Sequence, residues 1–220
     1  IVYGDVSDTN PMRYARFQKN GTNMICVDLF GGIHKSSDNG ITWEVAVASG
    51  STQNKHATYL STDGNFYVQS QNGQIKLLNF ITNALTNFGT VPSGYNSQSG
   101  YNMAFIVEGT KVFNGEYNGS HSVDSGANWY RSLNGYWNGS SAPGVYVHSD
   151  HHRMGFLDTA SNKIWSVNDG GLNYIDYGAN PTATTIPTEV YKSNGVIVTQ
   201  SYSFNMKQNN DNTNMMLSNQ

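Results

Sequence analysis

SSDNGITW, residues 36–43, has the form Ser-x-Asp-x-Gly-x-x-Trp, and the chain says it again 86 residues later as SVDSGANW, residues 122–129. Four fixed positions met twice in one short chain mark a repeat, so what lies around the two boxes decides the fold. A second pattern runs apolar pair, short polar stretch, glycine. It occurs in MICVDLFGGI (24–33), FYVQSQNGQI (66–75), VFNGEYNGSH (112–121) and IWSVNDGGL (164–172). The anchoring Gly31, Gly73, Gly119 and Gly170 are 42, 46 and 51 residues apart. Each segment reads as two strands joined by a tight turn.

Upstream of each hairpin lies another strand in the same register: RYARF ending at Phe17, HATY at Tyr59, NMAF at Phe105, RMGF at Phe156 and SYSF at Phe204. The unit is a strand ending in an aromatic, a polar turn, two strands around a glycine turn, then a box and a last strand. Four strands every ~40–50 residues describe a β-propeller blade. The reading is an all-β chain, one domain over 1–220, with four-stranded antiparallel blades at about 11–48, 54–92, 100–134 and 150–190 and an incomplete one at 198–220. Because the fifth unit stops at MMLSNQ in mid-hairpin, the expectation is part of a larger ring of about seven blades.

Composition agrees. Charged residues make up 12% of the 220-residue chain and aromatics another 12%, with abundant Gly, and no segment keeps an apolar helical period over three turns. A net charge of −3 with scattered Lys and Arg gives no basic stripe, which argues against nucleic acid. No apolar run of ~18 residues is present to insert into a membrane. The single cysteine, Cys26, sits in an apolar run and reads as buried. The chain begins at Ile1 without a leader, as a processed or excerpted chain would.

The boxes Ser36, Asp38, Gly40, Trp43 and Ser122, Asp124, Gly126, Trp129 resemble the Asp-box, or BNR repeat, of sialidase-like propellers; YIDYGANP (174–181) keeps only Asp176 and Gly178. The resemblance implies that each box is the turn between a blade's third and fourth strands. There the carboxylate accepts backbone N–H bonds, the glycine supplies positive φ, and the Trp covers the neighbouring blade. VHSDHHRMGFLDTASNKIWSVNDGGL (147–172) and VTQSYSFNMKQNNDNTNMMLSNQ (198–220) further resemble secreted sortilin-type and xyloglucanase-like propellers, frequent in Bacteroidota. That resemblance implies an extracellular or cell-surface location and a ligand site on the opposite face, built from the turns between second and third strands and the links between blades.

On that face register places Arg13, Lys55, Tyr101, His152 and Gln200 at the starts of the innermost strands, beside Asp28, Gln71, Glu116 and Asp169 in the turns. Such opposite charges at a concave mouth suit a polyhydroxylated or acidic ligand, or only a solvated rim. In HSDHHR (148–153), strand alternation would put His148, Asp150 and His152 on one side and His151 and Arg153 on the other. Three such groups with Asp169 as a fourth would make a divalent-metal site; no other cofactor is expected. In the insertion 130–144, Tyr130, Tyr136 and Trp137 offer flat faces for sugars or pack the loop onto its own domain.

Two function classes follow. A glycoside hydrolase needs a carboxylate pair about 5–9.5 Å apart, to be drawn from Asp28, Glu116, Asp150 and Asp169. A binding module for a polysaccharide or surface protein needs only aromatic and polar loops. With Arg13, Arg16, Arg131 and Arg153 the only arginines, no triad for a sialidase substrate is evident.

Overall fold

A strand with apolar side chains on both faces must be covered on both, and in the computed structural model the neighbouring blades do this for the innermost strand of the third blade, whose odd- and even-numbered residues face opposite blades. The structure describes residues 16–28, 30–50, 56–93, 103–135, 144–192, 203–208 and 214–219. Arg13, Lys55, Tyr101, Tyr136, Trp137 and Gln200 lie outside these residues.

The first blade contains β1 (Arg16–Asn20), β2 (Asn23–Val27), β3 (Ile33–Ser36) and β4 (Glu44–Val47), and the second β5 (His56–Leu60), β6 (Phe66–Ser70), β7 (Gln74–Leu78) and β8 (Leu85–Thr90). The third holds β9 (Ala104–Glu108), β10 (Lys111–Gly115), β11 (Gly119–Ser122) and β12 (Tyr130–Asn134), extended by β13 (Val145–Tyr146). The fourth holds β14 (Arg153–Asp158), β15 (Lys163–Asn168), β16 (Gly171–Asp176) and β17 (Thr188–Tyr191); a fifth begins with β18 (Ser203–Gln208) and β19 (Asn214–Asn219). Each blade is an antiparallel meander in chain order, and only β13 pairs in parallel, with β12. The innermost strands β1, β5, β9 and β14 pack successively side by side, which makes the array a propeller. No α-helix occurs among the described residues.

Several local expectations shift. The aromatics do not end their strands: β1 runs on to Asn20 and β9 to Glu108. Gly119 is no turn residue but opens β11, where a Cβ would stand 2.4 Å from Leu133. Tyr130 belongs to β12 and not to a loop. In the fourth blade the positive φ of the hairpin falls on Gly171, not Gly170.

Three apolar clusters fill the spaces between blades. Ile25, Val27, Phe66 and Val68 join the first to the second; Ala57, Phe105, Val107 and Val112 the second to the third; Ala104, Ile106, Phe113, Met154 and Ile164 the third to the fourth. Along β9, Phe105 and Val107 thus face one blade and Ala104 and Ile106 the other, the period-two alternation of a strand buried on both sides.

Both boxes close the third-to-fourth-strand turn. The Ser36 hydroxyl donates to Asp38 Oδ1 (2.7 Å) and accepts from Gly40 N (2.8 Å), while Asp38 Oδ1 accepts from Thr42 N (2.9 Å). Ser122, Asp124, Gly126 and Asn128 repeat this at 2.8, 2.9 and 2.9 Å. Positive φ falls on two residues per box, Asn39 and Gly40, and Ser125 and Gly126. Hydrogen bonds from Thr42 and Asn128 hold Asp38 and Asp124 at a pKa of about 2. Trp129 packs into the core between the second and third blades, whereas Trp43 meets Phe17 of its own blade edge-on. In the fourth blade only the Asp176 carboxylate bond to Gly178 N remains, at 2.8 Å.

Asn39 N and Ser125 N bond to Thr22 O and Thr110 O in the first-to-second-strand turns, so these turns share the face of the boxes. Gly50 N and Val91 N, in the links leaving a blade, bond to Phe30 O and Gly73 O in second-to-third-strand turns and define the opposite face. Between the second and third blades backbone meets backbone: a Cβ on Gly89 of β8 would stand 2.7 Å from Ser125 O and 2.8 Å from Gly126 Cα.

Overpacking at such a contact costs about 1–3 kcal/mol. Gly89→Ala is expected to lower the denaturation midpoint by a corresponding amount, and an unchanged midpoint in urea would show that the turn yields freely. The box acids, with folded pKa values below the ordinary 3.8, lend stability above that value that is lost as pH falls through about 2.

Candidate functional site

The face formed by the second-to-third-strand turns and the links carries the charged candidates, and the structure sorts them by what each already holds. Asp28, at the end of β2, is buried: its Oδ1 accepts from Phe30 N and Gly32 N, both at 2.8 Å, and its Oδ2 meets His34 Nε2 at 3.1 Å and the Ser49 hydroxyl. Burial pushes its pKa up, but the bonds from Ser49, His34, Gly32 and Phe30 outweigh it and leave the carboxyl below its ordinary value. This carboxylate caps its own turn.

Glu116, in the β10–β11 turn, is fully buried; burial pushes it up to about 8, with the nearby Asn114 amide drawing it back a little. Gln69 Nε2 of the second blade reaches Glu116 Oε1 at 3.4 Å, and the Glu116 carbonyl accepts from His151 N at 2.8 Å. His151 is likewise buried, with Nδ1 on the Ser166 hydroxyl at 2.6 Å; burial first, then the charges of His152 and His148, hold it down to about 3. Glu116, Gln69, His151 and Ser166 thus form a polar layer linking the second, third and fourth blades beneath the face. Sequence register put Glu116 on the surface; the zero exposure comes from the link 147–152, which folds over it.

That link is not a strand, since β13 ends at Tyr146 and β14 begins at Arg153, and Asp150 adopts φ 67°. The alternation expected for His148, Asp150 and His152 therefore fails. His148 packs its Cβ over Gly170 and sets Nδ1 on Ser149 O at 3.1 Å; His152 turns to Asp169, Nε2 to Oδ1 at 2.6 Å, with about a third of each side chain exposed. Among the described residues no three His, Cys, Asp or Glu side chains group as a metal site would need.

The innermost strands enclose a cavity of about 370 Å³, lined by Phe17 and Gln18 of β1, Ala57 to Tyr59 of β5, Met103 to Phe105 at β9, Arg153 to Phe156 of β14, and Trp165. Gln18 Nε2 bridges to Thr58 O at 3.0 Å across the first two blades. Trp165 reaches the wall from β15 because it pairs with Gly155, where a Cβ would stand 2.5 Å from its indole. Arg153 brings the cavity its cation. Its Nη1 bonds only weakly to His152 O, at 3.4 Å, and no carboxylate pairs with it among the described residues. Arg153 is itself exposed, and a guanidinium stays charged in proteins. Gln18, Thr58 and Trp165 were not singled out in sequence, although the aromatic register Phe17, Tyr59, Phe105, Phe156 marks their neighbours.

Fold and cavity together define a β-propeller with an axial pocket. No family model and no curated protein matches the chain. Among solved structures, YCF48 from Cyanidioschyzon merolae superposes with a TM-score of 0.50 at 13% identity over 79% of this chain and 55% of its own, so the chain spans about half of that protein. A GH74 enzyme from Niastella koreensis gives 0.49 at 20% identity over 77% of this chain and 30% of its own. The computationally designed Ika4 protein gives 0.48 at 12% over 72% and 87%. At these identities the likeness to YCF48 shows the propeller fold and nothing about activity.

For Glu116 the folded pKa of about 8 lies above the ordinary 4.5, so the folded chain holds the proton more tightly than the unfolded one. Its contribution is complete below about pH 4.5 and is lost as pH rises through about 8. The difference in unfolding free energy between the native chain and Glu116→Gln, measured in urea across that window, is expected to move against the native chain with rising pH; a difference independent of pH would refute the assignment.

Proposed function

We propose that this chain is a binding propeller of the Asp-box type that works outside the cell and takes an extended polar, acidic ligand, such as a segment of an acidic polysaccharide, into its axial mouth. The observation that carries this reading is the axial cavity with a guanidinium, Arg153, that no carboxylate neutralises among the described residues. A carboxylate ligand would give that group its missing charge-assisted partner, and the aromatic wall of Tyr59, Phe105 and Trp165 would cover the apolar faces of sugar rings. The box motifs support the family and, through it, the exterior location. A surface-protein segment with an acidic side chain meets the same chemistry.

The hydrolase alternative loses two of its four acids, because Asp28 is held by its own turn and Glu116 has no exposure. Neither can act on a polymer in solution without the face being dismantled.

A panel of neutral and uronate-containing polysaccharides, scored for retention of the chain and for released reducing ends, tests the reading. Retention of acidic polymers without cleavage is expected, weakened on the order of tenfold by Arg153→Gln, about what one charged hydrogen bond contributes. Cleavage abolished by Asp150→Asn or Asp169→Asn would replace the binding reading with a hydrolase.

A further inference from the structure

The second blade is the one with no trace of a box, and the groove of about 380 Å³ on the box face opens at its third-to-fourth-strand turn. Three turns line it: Asn20 and Asn23 from the first blade, Asn65 from the second blade's first turn, and Asn79, Phe80 and Ile81 from the turn that replaces the box. None of its 11 lining residues is charged.

The replacement turn is held firmly. Asn79 Oδ1 accepts from Ile81 N and Thr82 N, both at 3.0 Å, and Lys35 of the first blade donates Nζ to Phe80 O at 2.5 Å while lying 5.0 Å from the Phe80 ring centroid. So fixed, the turn leaves Ile81 89% exposed, the most exposed large apolar side chain among the described residues. The carboxamides are only half engaged. Asn20 Nδ2 bonds to Gly64 O at 3.2 Å and Asn65 Nδ2 to Asp63 Oδ2 at 2.7 Å. Asn20 Oδ1, Asn65 Oδ1, Asn79 Nδ2 and both polar atoms of Asn23 have no protein partner among the described residues.

We propose that this groove is a second ligand site, separate from the axial mouth, for a neutral saccharide. Preset donors and acceptors around an uncharged trough match hydroxyl groups, which both donate and accept, and do not match a carboxylate or an ammonium. Ile81 and the edge of Phe80 give an apolar patch beside them for the C–H face of a pyranose ring. The inference stands on the groove alone and does not depend on the axial reading.

The test uses the whole chain with maltohexaose, cellohexaose and mannohexaose as neutral probes and hexagalacturonate as the charged comparison, read by calorimetry. Saturable binding of at least one neutral probe is expected, weakened about fivefold or more by Asn23→Ala and by Ile81→Ser. Ile81 lies in a surface turn and Asn23 opens β2 beside one, and thermal unfolding of the variants checks that they fold. Arg153→Gln is expected to leave the neutral probe's affinity unchanged, which separates this site from the axial one. Absence of binding by all three neutral probes overturns the proposal, as does binding that follows Arg153 and ignores Asn23 and Ile81. Concentration-dependent self-association abolished by Ile81→Ser, without saccharide binding, would instead assign the groove to a contact between copies.

Discussion

A four-stranded antiparallel sheet whose two faces are both apolar cannot stand alone in water, and that constraint organises this molecule. The three clusters lie between blades, not within them, so the second and third blades are each covered by a neighbour on both sides. Once innermost strands stand side by side, the meander sends alternate turns to opposite faces, and residues remote in sequence collect at one mouth. The axial cavity is a by-product of the same packing: four strands meet around an axis that their side chains do not fill.

Carboxylates in this chain are largely structural. Asp38 and Asp124 hold box turns, Asp28 holds a hairpin, and Glu116 is sealed beneath a link and favours its proton near neutrality. The axial face also carries a half-exposed His152–Asp169 pair and a guanidinium that no carboxylate pairs with among the described residues. The proposed anionic ligand rests on that guanidinium. Where the box has been lost, in the second blade, the turn is free to take another shape, and the Asn79 loop does so.

Much of the architecture was legible because a repeat samples the same register several times. Aromatics and glycines spaced by 42 to 51 residues marked the four complete blades and their strand order, and the boxes fell in the turns expected of them. Side-chain placement was less legible wherever the repeat is broken. The link 147–152 looks like an alternating strand in sequence, but a positive φ at Asp150 ends the alternation and turns His151 inward. Nor does register reveal that this link covers Glu116, since that depends on a contact across the turn. Gly119 resembled its turn-forming counterparts, yet its role is to admit Leu133. The axial wall needed Trp165, whose position follows from the glycine opposite it on the paired strand.

The close approach of Gly89 to Ser125 and Gly126 has a bearing on how such a chain can change over time. A box is usually thought of as a self-contained cassette, closed by its own serine and aspartate. Here its outer surface is moulded against the last strand of the preceding blade, where only a missing side chain leaves room. Duplicating or transplanting the third blade by itself would set its turn against a strand lacking that gap. The heritable unit is thus offset from the visible one: it runs from the final strand of one blade through the box of the next, across the seam that the eye takes for a boundary.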